Sequence, residues 1–385
     1  MAVVNRIAGF AEEMAGWRRH LHMNPELGLD CHETAGFVVE RLKEFGVDEI
    51  HPGIATSGVV AVIHGKGEGP VTALRADMDA LPMDEETGKD WASTVPGKMH
   101  ACGHDGHTSM LLGAAKYLAE TRNFKGKVVL LFQPAEETIG GGRIMVQDEK
   151  VMDRFGVEEV YGIHTDPFAE FGELRTGPGA LMAAVDDFNI IIKGKGGHAA
   201  FPHETIDPLP CVFALGSALQ SVVSRNVNPM QSAVLSLTQV HGGSAMNIIP
   251  EEAVISGTLR TLSPEMREMG ERRIREMIAG HAASFGVEIE LDWQAGYPPT
   301  INHAAQAMFA ADVARGVTPD VVDNLAPEMG AEDFSYMLEA RPGAFLFLGQ
   351  GIGPSVHHPE FDFNDEVAPV GASFFARLIE TRHAI

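Results

Sequence analysis

Apolar residues in the first half of the chain recur at two different spacings. At 31–46, Phe37, Val38, Leu42 and Phe45 fall at helical intervals, while short apolar runs at 58–63, 71–74, 128–132 and 160–163 read as buried strands. A further helix is predicted at 109–119 between them. Strands and helices taking turns in this way predict an α/β domain on a mostly parallel sheet. In that architecture functional groups collect on loops beyond the carboxyl ends of the strands.

The middle of the chain follows another rhythm. A strand at 188–192, a helix at 208–223, strands at 233–240 and 253–259, a helix at 264–279 and a strand at 287–291 give the order β-α-β-β-α-β. The 264–279 helix has Met266, Met269, Ile274, Met277 and Ile278 on one face. This is the split βαβ arrangement of a ferredoxin-like α+β domain. After Gly296-Tyr297-Pro298-Pro299 the first pattern resumes, with a helix at 303–315, a strand at 344–348 and a closing helix from Val370. The expected organisation is a discontinuous domain, 1–183 and 297–385, interrupted by an insertion at 184–296. A chain of 385 residues also exceeds the span that usually forms around one core.

Composition narrows the functional classes. The chain has 45% hydrophobic and 21% charged residues and no low-complexity tract, as expected of a folded protein. Its 29 Lys+Arg against 53 Asp+Glu leave a formal charge of -24, which argues against nucleic acid or an anionic membrane as partner. There is no run of about 18 apolar residues, and residues 1–17 lack the basic start and apolar stretch of a secretion signal, so a cytoplasmic location is expected. The three cysteines, Cys31, Cys102 and Cys211, are too few and too widely spaced for a disulfide framework. A cysteine with a function here would be a thiolate ligand or a nucleophile.

The densest chemistry lies in His100-Ala101-Cys102-Gly103-His104-Asp105-Gly106-His107, just before a predicted helix. Thiolates and imidazoles are the donors that hold zinc-like ions. At the end of the 128–132 strand, Gln133-Pro134-Ala135-Glu136-Glu137 offers adjacent carboxylates, one able to coordinate while the other holds a proton. Metal-assisted hydrolysis needs that division of labour. Acids in Arg75-Ala76-Asp77-Met78-Asp79-Ala80-Leu81-Pro82, the His of Gly162-Ile163-His164, and Val356-His357-His358-Pro359 lie near or beyond further strand ends.

With these motifs in view, the chain resembles the aminoacylase and glutamate carboxypeptidase zinc-peptidase superfamily. The likeness is to its amidohydrolase branch, which includes hippurate hydrolase, N-acyl-L-amino-acid amidohydrolases and indole-acetyl-amino-acid hydrolases. It extends from Trp17-Arg18-Arg19-His20-Leu21-His22 to His357-His358-Pro359. The resemblance implies a zinc-peptidase-like α/β catalytic domain with a ferredoxin-like lid that also forms a homodimer. It implies two divalent metal ions per subunit, zinc, manganese, cobalt or nickel, and a small N-acyl amino acid substrate. Carried onto this sequence, it makes Cys102, His104, Glu137, His164 and His357 the metal ligands, Glu136 the general base and Asp79 a carboxylate that orients the site. It makes His198, in Gly196-Gly197-His198, a lid histidine that polarises the scissile carbonyl, and Asn247 and Arg260 substrate-holding lid residues.

Two departures stand beside this likeness. Asp77-Met78-Asp79 stands, as in its branch, where the wider superfamily has His-x-Asp, and Thr165-Asp166 follows His164 where the branch commonly has Asn and an apolar or aromatic residue. His358 is the alternative to His357. Three other functions fit parts of the pattern: a metallo-dipeptidase or carboxypeptidase of the same superfamily, a cysteine hydrolase using Cys102 with His104 or His107 as base, and a binding protein with a structural zinc.

Overall fold

A strand buried on both faces needs a nearly unbroken apolar run, and Gly58–His64, Val71–Asp77 and Lys127–Gln133 supply it. The computed structural model describes residues 1–385 and places these strands in an eight-stranded sheet. Its order is Glu49–Ile54, Gly58–His64, Lys127–Gln133, Val71–Asp77, Glu159–Asp166, Gly343–Gly349, Leu174–Arg175, Val321–Val322. The four strands from Lys127–Gln133 to Gly343–Gly349 run parallel. Gly58–His64 and Glu49–Ile54 extend the sheet by antiparallel pairing.

Because parallel neighbours require crossovers, helices cover the sheet. His104–Thr121 is buried along most of its length, and Ala11–Met23 and Ala368–Arg382 pack beside it. The apolar pattern predicts only 109–119 as helix. The helix begins earlier because its first turn is polar, and polar residues leave no apolar period to read. The parallel strands finish together, with Asp77 opposite Gln133 and Asp166 opposite Gly349. One edge of the sheet thus gathers the loops that bear the clustered acids and histidines.

The chain divides into two compact units: Met1–Leu181, Ile301–Ala326 and Asp333–Ile385 form one, Met182–Thr300 and Pro327–Glu332 the other. The second unit has a four-stranded antiparallel sheet in the order Ala233–Gly242, Glu252–Thr261, Ala184–Lys193, Glu288–Ala295. Strict alternation along Ala184–Lys193 and Glu252–Thr261 turns Phe188, Ile190, Ile192, Ala253, Ile255 and Leu259 onto one buried face. Ile274 and Ile278 of the helix Pro264–Phe285 pack there, with Met277 partly buried beside them. The helix predicted at 208–223 is broken after Leu219 into Leu209–Leu219 and Ser221–Asn226. The Ser221 hydroxyl donates to the Ala218 carbonyl at 2.7 Å, a side-chain bond that competes with the regular ladder.

Candidate metal centre

The turn that opens the His104–Thr121 helix is shaped by two glycines. Gly103 has φ +84°, a left-handed conformation that a side chain disfavours. A Cβ at Gly106 would lie 2.3 Å from the Phe363 ring, so only glycine lets this turn press against the core. The result fixes Cys102 and His104 in the buried interior.

Around them the donor atoms converge. Cys102, His104 and His164 form one group with ligand atoms within 4.8 Å of one another, and Cys102, Glu137 and His357 form another, so the thiol belongs to both. Cys102 Sγ lies 3.4 Å from His164 Nε2. The His164 Nδ1–H donates to the Thr165 carbonyl at 2.7 Å, which leaves Nε2 as a lone pair aimed at the cluster. His357 Nε2 lies 3.2 Å from Glu137 Oε1, and the His357 N–H donates to the Ala101 carbonyl at 2.7 Å, pinning this loop beside Cys102. Both histidines are exposed, but the Nδ1 of His358 accepts from the Glu360 N–H while His357 reaches Glu137, so His357 is the member of the pair that joins the cluster.

Asp79 accepts the N–H groups of both Glu136 and Glu137, at 2.9 and 3.1 Å. That clamp coincides with backbone strain, since Ala135 has φ +59° and His357 φ +62°. Left-handed non-glycine residues persist only where surrounding bonds over-determine them. The effect is to turn Glu136 and Glu137 from the end of their strand toward His104, with which their carboxylates form a third group.

The electrostatics are those of a cation site. His104 is fully buried with no well-formed hydrogen bond: Nδ1 lies 3.5 Å from Asp79 Oδ1, and Nε2, 3.8 Å from the carboxylates of Asp77 and Glu137, is left for an ion. Burial alone would deprotonate His104, but the charges of Asp77, Asp79 and Glu137 prevail and raise it to about 10. Burial, reinforced by Glu137, Glu136 and Asp77, pushes the Cys102 thiol well up. Its position before a helix N-terminus would favour the thiolate, but the surrounding carboxylates dominate. Without a cation Cys102 is therefore a thiol, the wrong state for a nucleophile. His107 is not available as its base either: Nδ1 bonds Asp77 at 2.6 Å and Nε2 accepts from the Thr165 N–H at 2.9 Å.

Further residues hold the donors in place. Arg75 is fully buried and donates to Gln133 at 2.9 Å, Asp77 at 2.6 Å and Asp333 at 3.0 Å. Asp333 also accepts from the Gly142 N–H, tying the Glu136–Glu137 loop to the sheet. Arg75 and Asp77 lie in the acid-bearing segment 75–82, whereas Asp333 lies in none of the sequence motifs. Arg18 and His22, one helical turn apart, hold Asp105 from the other side, with His22 Nδ1 2.8 Å from it. Thr165 donates to Gln350 at 3.0 Å, and Asp166 pairs with Arg175 at 2.5 Å, so both unusual residues after His164 are held in place.

The remaining expected site residues lie in the second unit. His198 is exposed on a two-residue strand opposite Ile248, and the neighbouring Ala199 N–H donates to the Asn247 carbonyl at 3.0 Å. Arg260 is half-buried on Glu252–Thr261, its Nε 3.3 Å from Thr258 Oγ1. No helix is long and apolar enough to cross a membrane.

Comparison with known proteins points the same way. Residues 73–381 match the profile described as Peptidase family M20/M25/M40. An N-acetyl-L-cysteine deacetylase of Bacillus subtilis is 44% identical over 94% of this chain and 86% of its own length. A hippurate hydrolase of Campylobacter jejuni is 38% identical over 98% of both chains. A crystal structure described as a dinuclear metal binding peptidase from the M20 family, also from Bacillus subtilis, is 35% identical. It superposes with a TM-score of 0.86 over 98% of this chain and 99% of that one.

Proposed function

Because the chain belongs to peptidase family M20/M25/M40, we propose that it is a metal-dependent amidohydrolase that cleaves the amide bond of a small N-acyl amino acid. The observation that carries this reading is the convergence of Cys102, His104 and His164, and of Cys102, Glu137 and His357, from a buried floor to an exposed rim at His357, beside a further carboxylate, Glu136. The relatives named for N-acetyl-L-cysteine and for hippurate support the substrate class.

Cys102, His104, Glu137, His164 and His357 would hold two divalent ions. A thiolate favours zinc, while the carboxylates also suit manganese, cobalt or nickel. When bound, the ions supply a Lewis acid for the scissile carbonyl and acidify water. Glu136 takes the proton from the attacking water and returns it to the leaving nitrogen as the carbon–nitrogen bond breaks, giving a carboxylate and a free amine. Asp79 holds Glu136 in place through its backbone N–H. His198 polarises the substrate carbonyl, Asn247 and Arg260 hold the substrate, and the second unit acts as lid and as the contact of a homodimer.

The test is chelation and reconstitution. Activity on a panel of N-acyl amino acids should vanish on metal removal and return with zinc, manganese or cobalt. Full activity of the metal-free protein would contradict the reading and favour a cysteine hydrolase.

A further inference from the structure

At the far side of the catalytic unit the antiparallel strands Glu49–Ile54 and Gly58–His64 bring two imidazoles to one carboxylate. Glu49 pairs with Val62 and His51 with Val60, so Glu49, His51 and His64 share a face of the sheet. His64 Nε2 lies 2.8 Å from Glu49 Oε1 and His51 Nε2 3.2 Å from Glu49 Oε2. The three side chains are 40–42% exposed, and the two rings approach different oxygens of Glu49, so they must swing together to meet one solute. His51 is steadied by the Phe155 ring, edge-on at 5.0 Å.

The location separates this cluster from the proposed metal centre. His64 stands opposite Lys127, the first residue of the strand whose last, Gln133, leads into Glu136 and Glu137. A strand of that length spans about 20 Å. None of the three residues takes part in the network around Cys102.

We propose that Glu49, His51 and His64 form a second, peripheral binding site for a borderline divalent cation such as Cu(II), Ni(II) or Zn(II). Two imidazoles and a carboxylate are the donors these ions prefer over Mg(II) or Ca(II). The ion takes the place of the protons now shared between Glu49 and the two rings. Because the side chains are half-exposed, they can close to the roughly 2.0–2.2 Å of metal–nitrogen and metal–oxygen bonds without disturbing the core. Lys127 and Arg154 line the same cleft and oppose a cation, and Asp48, which accepts the backbone N–H of His64 at 2.8 Å, is already paired with Arg122 at 2.6 Å. The balance makes a site weaker than the buried cluster, filled only after it.

The experiment titrates protein already saturated at its catalytic centre with Ni(II) by calorimetry, and with Cu(II) by electron paramagnetic resonance. Wild type should bind one equivalent more than the His51→Gln/His64→Gln variant, with two nitrogen donors in the Cu(II) spectrum. Each single variant, and Glu49→Gln, should weaken that equivalent by more than the roughly tenfold typical of losing an outer-shell partner. Unchanged hydrolysis shows that the variants are folded and that the catalytic metals are untouched. Equal stoichiometry and affinity in wild type and double variant, or no additional ion in wild type, would overturn the proposal while leaving the amidohydrolase reading intact.

Discussion

Replacing Asp79 tests how the acids of the cluster are held. Its carboxylate is 1% exposed and accepts two backbone N–H groups, from Glu136 and Glu137. Asp79→Ala leaves both donors buried and unpaired, at about 1–3 kcal/mol each, so about 2–6 kcal/mol in all. Asp79→Asn keeps one acceptor oxygen and turns an NH2 toward the other donor, forfeiting one bond to a charged group, about 1.5–3 kcal/mol. Part of either loss is offset, because burial and repulsion from Glu137 raise the pKa of Asp79 and the uncharged variants escape both. The assay is urea denaturation of chelated wild type and variants, with metal content and turnover measured after reconstitution. The expected order of stability is wild type, Asn, Ala. Both variants should lose metal and turnover, since Asp79 no longer holds the strained turn at Ala135 and the two glutamates after it in place. An Ala variant that unfolds at the wild-type urea midpoint and retains metal would refute the clamp.

Two further outcomes follow from the buried charges. Arg75→Met leaves Asp77 and Asp333 without their cation and should destabilise the protein by about 3–5 kcal/mol in urea; an unchanged midpoint would show that the network contributes nothing. The stability of the chelated protein should peak near pH 6.5. Burial lowers His100 and His107 to about 4, so the unfolded chain binds protons first and stability falls as pH drops from 6.5 through 4, on the order of 3 kcal/mol per ring. Against the pull of burial, Asp105 raises His22 to about 9, and Asp77 and Asp79 raise His104 to about 10. Their contribution is whole below 6.5 and is lost as pH rises through those values. Metal should flatten the alkaline side, because His104 binds an ion as the neutral ring. A pH-independent midpoint in chelator would contradict these assignments.

The two architectures were legible because apolar periodicity reports burial. The unbroken run at 128–132 and the alternation behind Phe188, Ile190 and Ile192 each specify which faces of a strand are covered. Helix 264–279 was legible from Ile274 and Ile278 but continues to Phe285 on residues that are not buried. Ala11–Met23 buries Met14, Trp17 and Leu21 at helical spacing, but Arg18 and His22 share that inner face and dilute its apolar signal. The donor residues around Cys102 stood out by chemical type, and the resemblance distributed roles among them. What spacing could not convey is second-layer geometry: that Asp333 reaches Arg75, or that His107 is committed to Asp77 and Thr165. Those contacts join residues up to 258 positions apart and depend on the closed fold.

The central claim is that Glu136 moves the proton while Glu137 binds metal, and one variant separates the two roles. Glu136→Gln preserves the shape and the N–H held by Asp79 but cannot accept a proton. Turnover of an N-acyl amino acid by Glu136→Gln, measured beside its metal content, should fall about 10²–10⁴-fold while both ions remain bound. Near-wild-type turnover, or loss of metal in proportion to loss of rate, would contradict the account.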